Sequence, residues 1–372
     1  MVYVHIPFCR SHCVYCGFYS ELLRLGGGGS EFVDALLREI ALTEADFATG
    51  GIQTLYFGGG TPSLLGSGQL AAIVGALADK GLYDKDKCVE FTMEMNPDDI
   101  VRKGSGYLDE LRRIGVDRVS MGVQSFDDAV LRRMGRRHNA EEAVRAYEML
   151  RGEGFDNISI DLIIGFTDRF DPFSLRDSLC GLSRLPQHIS CYQLSVESGS
   201  GLEKMLSGGK FSLPGEDECA SQYEALCSLL QDFGYEHYEI SNWALGSFRS
   251  RHNSAYWTHV PYVGFGPGAH SFDSHRRYWN HPDLKAYIGA AGKGDFSIVR
   301  GEEVLTDEQF LEESIMLGLR TSDGIRPELL HPSKYSTAME SGVLTASKTV
   351  RGNVCIAPDR WIVSDDIVAS LI

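Results

Sequence analysis

Short apolar runs alternate with segments of helical period along the first half of the chain. Strands are predicted at "VYVHI" (2–6), "IQTLYF" (52–57), "CVEFTMEM" (88–95), "DRVSMGV" (117–123), "NISIDLII" (157–164) and "HISCYQLSV" (188–196), each short and rich in Val, Ile, Tyr or Phe. Helical segments lie between them. In "EFVDALLREIALTEADF" (31–47), Phe32, Val33, Leu36, Leu37 and Ile40 recur at spacings of three and four, and "GQLAAIVGALADK" and "AEEAVRAYEMLRGEG" behave likewise. Six strand–helix units in series predict an α/β fold with parallel strands and helical crossovers. Ligands in such a sheet or barrel bind at the carboxyl ends of the strands. Polar and glycine-rich punctuation falls at those ends: cysteines after the first strand, "GGGTPS" (58–63) after the second, "EMNPDD" (94–99) after the third, "VQSF" (123–126) after the fourth, and Asp161 near the end of the fifth.

The pattern changes beyond about residue 205. A helix (216–233) precedes "YEHYEISNWA", an aromatic and histidine-rich stretch runs to about 281, and a helical, winged-looking tail follows. The expected organisation is a core over 1–235, an extension over 236–300 and a small winged-helix-like domain over 301–372. "GGGGS" (26–30) has the composition of a flexible linker, natural or introduced, and carries no functional reading.

Composition narrows the class. A net charge of −16 argues against general nucleic-acid binding, which rests on neutralising phosphates, but leaves room for an anionic small ligand in a local basic pocket. Nine cysteines in 372 residues, unevenly spaced, do not make a disulfide scaffold, so a reducing cytoplasmic setting is expected. No run of about 18 apolar residues predicts a membrane helix, and the first residues lack the pattern of a secretory signal.

The candidate chemistry begins with Cys9, Cys13 and Cys16 in C-x3-C-x2-C spacing. Thiolates suit iron–sulfur clusters and zinc. A closed zinc site needs a fourth ligand, for which His12 and His5 are the nearby alternatives. Three sulfurs on one tight loop also suit three corners of a cubane, and three reduced structural thiols are the plainest reading. The glycines of "GGGTP" let backbone approach a ligand, or simply build a tight turn. Between residues 237 and 281 lie His237, His252, His259, His270, His275 and His281, where uniform scatter of the eleven histidines over 372 residues would put about one. Arginines and aromatics accompany them, as a porphyrin with propionates or an aromatic domain seam would require. The other six cysteines read as buried small hydrophobes.

The cysteine spacing after a strand resembles the radical S-adenosylmethionine (SAM) superfamily. "YVHIPFCRSHCVYC", "YFGGGTPSLL", "MGVQSF", "IDLIIGF", "YEISNWA", "RHNSAYW" and "VGFGPGAHSF" resemble, in order and spacing, the oxygen-independent coproporphyrinogen oxidase-like group over nearly the whole chain. The true oxidase carries a further cysteine two positions after the third, where this chain has Phe18, and the haem-chaperone branch carries H-N-x-x-Y-W, here His252, Asn253, Tyr256 and Trp257. The resemblance therefore favours the chaperone branch.

It implies a partial (β/α)6 radical-SAM barrel with an extended C-terminal region. It implies a 4Fe–4S cluster on Cys9, Cys13 and Cys16, its open iron chelated by SAM; SAM contacts from Tyr3, Gly59, Gly60, Thr61, Glu94, Gln124, Arg136 and Asp161; and haem contacts from His252, Asn253, Tyr256 and Trp257, with His252 at or beside the iron. The implied partners are haem, apo-haemoprotein recipients and an electron donor, with no nucleic acid; a homodimer and peripheral membrane contact stay open. The alternative reading is oxidative decarboxylation of coproporphyrinogen III propionates, and a different radical SAM reaction is a third. "FTDRFDP" (166–172) stands where the family has a Leu-Pro-Gly-like turn, so contacts there are expected to differ.

Overall fold

A computed structural model describes residues 1–23, 29–43, 53–168 and 170–372. Most of "GGGGS" lies outside the described residues; Gly29 and Ser30 open the first helix. In chain order the strands of the main sheet are β1 (Val2–Ile6), β2 (Gln53–Gly59), β3 (Cys88–Met95), β4 (Arg118–Gln124), β5 (Asn157–Ile164), β6 (His188–Gln193), β7 (Glu236–Glu239), β8 (Asn242–Ala244) and β9 (Val263–Phe265). Their spatial order is β9-β1-β2-β3-β4-β5-β6-β8-β7. Pairing is parallel from β9 through β6 and antiparallel at β8 and β7. The six predicted strands are the six consecutive parallel strands of a partial (β/α)6 barrel.

Strict alternation explains the architecture. One face of each barrel strand is apolar: Val4 and Ile6, Leu55 and Phe57, Phe91 and Met93, Val119 and Met121, Ile158 and Ile160, Ile189. These residues pack under α1 (Gly29–Leu42), α2 (Ser67–Asp79), α3 (Pro97–Ile114) and α5 (Ala140–Gly152), whose apolar stripes share the same core. The opposite face is polar and turns into the lumen: Tyr3 and His5, Tyr56, Thr92 and Glu94, Arg118 and Ser120, Ser159 and Asp161, His188 and Ser190. Burying these groups is tolerable only because they are hydrogen-bonded to one another. Arg118 reaches Thr92 and His188, and His188 bridges Ser159 at 2.8 Å and Tyr238 at 2.7 Å.

The region after α8 (Glu216–Asp232) closes this frame. Buried Glu39 on α1 accepts from Gly266 N, Asn280 Nδ2, Tyr287 Oη and Arg300, joining the first barrel helix to four points of the later chain. A three-stranded antiparallel sheet follows: β10 (His270–Phe272), β11 (Arg276–Asn280) and β12 (Arg300–Val304). Ile315, Leu319, Ile356, Trp361 and Val368 belong to a second hydrophobic core. That module meets the barrel at edge strand β7, where Ser322 N donates to Tyr238 O at 2.9 Å and Arg249 pairs with Asp323 at 3.0 Å.

Candidate functional site

A cavity of about 550 Å³ opens at the carboxyl ends of the barrel strands. Cys9, Cys13, Cys16, Gly59, Gly60, Thr61, Glu94, Gln124, Arg136, Asp161 and Asn253 all line it. Segments of sequence more than 200 residues apart thus meet at one rim, as the punctuation after each strand leads one to expect.

The cysteine loop is pinned on both sides. Phe8–Cys9 pairs with Glu21–Leu22. Val14 N donates to Met134 O at 3.1 Å, and Leu202 N donates to Val14 O at 2.7 Å. Burial pushes the Cys16 thiol up to about 11. Among the described residues no three His, Cys, Asp or Glu side chains converge closely enough to share a single ion. Cys9, Cys13 and Cys16 nevertheless line one common cavity, and three soft thiolate donors suit an iron–sulfur cluster. His5 is not near-free for such a role: its ring nitrogens meet Tyr3 Oη and Tyr19 O, each at 3.0 Å.

The β2 turn lies against this loop because glycine allows it. Gly60 N donates to Ile6 O at 2.9 Å, and a Cβ on Gly60 would stand 2.5 Å from Phe8 O. Gly59 has φ 103°, and a Cβ there would meet the His5 ring at 2.4 Å. Gly59 N also donates to Glu94 Oε2 at 3.1 Å, while Tyr56 Oη donates to Oε1 at 2.7 Å. Burial, opposed by the Tyr56 bond, raises Glu94 to about 7. Asp161 is likewise raised by burial, although Ser120 Oγ donates to both its oxygens at 3.0 Å.

Gln124 carries φ 68°, unusual outside glycine, at an irregularity in the β4–β5 register between Gly122 and Gln124. Such a bulge re-aims a side chain at a sheet's rim, and its strain of order 1 kcal/mol persists where the surroundings enforce it. Arg136 follows α4 (Asp128–Met134) and its left-handed Gly135 cap. Its guanidinium donates to Cys13 Sγ at 3.3 Å, Asn96 Oδ1 at 2.5 Å and Gly122 O at 2.7 Å, and its buried Nε has no partner. Arg137 also lines the cavity but pairs with Asp98 at 2.9 Å.

Two groups of expected residues lie elsewhere. Tyr3 sits below the cavity floor, its ring 6.0 Å from Tyr56. His252 is buried at 1% exposure. Its Nδ1 meets Thr54 Oγ1 at 2.8 Å and its Nε2 meets Tyr256 Oη at 2.9 Å, so it offers no free nitrogen to an iron. Burial lowers it to about 3, which keeps the ring neutral. Axial ligation by His252 would require one of these two hydrogen bonds to be given up. His252 and Glu90, which accepts from Arg251 N and His252 N, fasten α9 (Arg251–Tyr256) beneath the barrel, and Asn253 is the member of the motif that reaches the cavity. The wider set of histidines is dispersed as well: His237 stacks on Trp243 and His259 on Phe310.

Sequence reading passed over Asn96, Tyr15 and Tyr192, which also line the cavity. For Asn96 the signal was present: an Asn-Pro step between a strand and a helix marks a helix start on the ligand-binding rim.

Residues 3–171 match the family model of the radical SAM superfamily. The heme chaperone HemW of Bacillus subtilis is 34% identical over 338 residues, covering 91% of this chain and 87% of that protein. HemW of Lactococcus lactis is 34% identical over 91% of this chain and 86% of its own. The mouse mitochondrial radical S-adenosyl methionine domain-containing protein 1 is 33% identical over 87% of this chain and 74% of its own. Among solved structures, the coproporphyrinogen III oxidase of Escherichia coli, described as a radical SAM enzyme, superposes with a TM-score of 0.80 over 99% of this chain and 89% of that one, at 21% identity, a likeness of fold. With the cysteine loop, the glycine turn and the polar lumen assembled at one barrel rim, these likenesses agree: the chain belongs to the HemW family of radical SAM proteins.

Proposed function

We propose that this protein is a haem chaperone, which binds haem and passes it to apo-haemoproteins, and that the rim cavity holds a SAM-liganded 4Fe–4S cluster. The observation that carries the reading is the convergence of three thiols, a glycine turn and two half-buried carboxylates on one cavity. Cys9, Cys13 and Cys16 would hold the cluster. When bound, the cluster supplies an electron to SAM. Gly59, Gly60 and Thr61 sit at the methionine end, where close backbone approach is needed. Glu94, Gln124 and Asp161 would accept from the ribose hydroxyls and the adenine edge, and Arg136 would attract the carboxylate. Tyr3 supports Tyr56, and so Glu94, from below.

Phe18 favours the chaperone reading over the oxidase. It is 73% exposed at the cavity, where the oxidase has its further cysteine. Within the H-N-x-x-Y-W segment, haem contact is assigned to Asn253 and Trp257; His252 and Tyr256 would join only on giving up their mutual hydrogen bond. We further read residues 1–235 as the radical SAM core, 236–300 as the haem-binding extension and 301–372 as the winged-helix-like module, acting in the cytoplasm with haem, apo-haemoproteins and an electron donor. Anaerobic reconstitution followed by iron and sulfide analysis of wild type and Cys13→Ser tests the cluster. Four irons per chain are expected in the wild type. A full, spectrally unchanged cluster in Cys13→Ser defeats the ligand assignment.

A further inference from the structure

Behind the cysteines, three side chains form a hydrogen-bond chain whose direction is fixed by chemistry. A guanidinium donates only. Arg136 donates one N–H to Cys13 Sγ at 3.3 Å and another to Asn96 Oδ1 at 2.5 Å. Asn96 must therefore turn its oxygen toward Arg136, which aims its Nδ2 at Thr61 Oγ1, 3.1 Å away. Thr61 accepts there, and its own hydrogen is left for Cys9 Sγ at 3.7 Å, within reach for sulfur. Asn96 occupies the N-cap of α3, yet its side chain makes no capping bond; it is diverted to this chain. Thr61 is buried and the Nε of half-buried Arg136 is enclosed, which limits competition from water for these donors.

We infer that Arg136, Asn96 and Thr61 form a donor relay that delivers hydrogen bonds to two of the three thiolates and raises the reduction potential of the cluster, with Asn96 as its positioning residue. The inference rests on the cluster reading of Cys9, Cys13 and Cys16. Hydrogen bonds to ligand sulfurs stabilise the more negative, one-electron-reduced cluster and are among the levers that set its potential. Asn96 controls the relay because its amide both accepts from Arg136 and donates to Thr61. A carboxylate at that position accepts from both neighbours, so the Thr61 hydrogen turns away from Cys9.

The test is an EPR-monitored redox titration of the full chain, reconstituted anaerobically and reduced with dithionite through mediators, with iron and sulfide measured on each sample. Thr61→Val should make the cluster about tenfold harder to reduce, a shift of ~59 mV to lower potential. Thr61→Ser, which keeps the hydroxyl, should stay at the wild-type value. Asn96→Asp should also shift downward, by its added charge and by reversing Thr61. In Thr61→Val/Asn96→Asp the two shifts should sum to less than the single variants predict, because part of each runs through the same hydrogen bond. Full clusters with unchanged potential in Thr61→Val, or equal shifts in Thr61→Val and Thr61→Ser, overturn the relay. Additive shifts reduce Asn96 to a charge effect and overturn its positioning role. If Asn96→Asp assembles no cluster, the Val and Ser pair at Thr61 still decides. Absence of a cluster from wild type, or a full one in Cys13→Ser, instead overturns the ligand reading on which the relay stands.

Discussion

Replacing Glu94 by Gln should stabilise the ligand-free protein in alkaline solution and not in acid. Burial raises this carboxyl from 4.5 to about 7 in the folded chain. A folded-state value above the unfolded one means that the folded state favours the proton. Its contribution is fully present below about pH 4.5 and is lost as pH rises through 7. The shift of about 2.5 units, at ~1.36 kcal/mol each, puts the cost of ionising Glu94 near 3 kcal/mol at pH 8. Gln avoids that cost. It keeps an acceptor for Tyr56 but opposes its amide N–H to Gly59 N, forfeiting about 1 kcal/mol. The net gain at pH 8 is about 2 kcal/mol and falls to about zero at pH 5, where ionising Glu94 costs only about 1 kcal/mol and the two terms cancel. With unfolding entropy near 2.1 cal/mol/K per residue, that gain corresponds to a rise in Tm of roughly 2–3 °C for a chain of this length. Thermal melts of both proteins across pH 5 to 8 measure it. A difference in Tm that does not change with pH, or a wild type that is the more stable at pH 8, refutes the reasoning.

His252→Ala should lower Tm by several degrees, since it removes a ring bonded to Thr54 and Tyr256 and packed at a tilt 5.0 Å from Tyr56; large-to-small changes at such sites cost about 2–5 kcal/mol. The Soret band of the haem-loaded variant should match wild type, and a shifted band would restore axial ligation by this residue. Asp161→Ala and Gln124→Ala should each weaken SAM binding by about tenfold or more, as loss of a charge-assisted or buried hydrogen bond is worth about 1.5–3 kcal/mol. Isothermal titration of the reconstituted proteins decides, and wild-type affinity in both variants means that the SAM pocket lies elsewhere.

The strand–helix series and the rim position of the site were legible because both depend on local pattern. Alternation in "VEFTMEM" and "VSMGVQ" puts Phe91, Met93, Val119 and Met121 on the helix side, and the remaining positions, Glu94 and Ser120 among them, fall in the lumen by default. What escaped was long-range. Nothing near His252 in sequence reveals that Thr54, 198 positions away, takes one ring nitrogen. Histidine density alone suggested a metal-facing segment, whereas the fold spends His237, His252 and His259 on stacking and buried hydrogen bonds. Asn96 was hidden for the opposite reason. Its type and position announce a helix cap, and only the guanidinium of Arg136, 40 residues on, turns it toward the cysteines.

Transfer of haem from the loaded protein to a haem-depleted recipient tests the central claim most directly. The protein, reconstituted anaerobically with its cluster and loaded with haem, is mixed with an apo-haemoprotein enzyme, and recovery of that enzyme's activity is followed over time. The account predicts recovery with the wild type, faster than with an equal amount of free haem, and its loss in Cys13→Ser. No recovery above the free-haem rate, in a preparation that holds both cluster and haem, would contradict it.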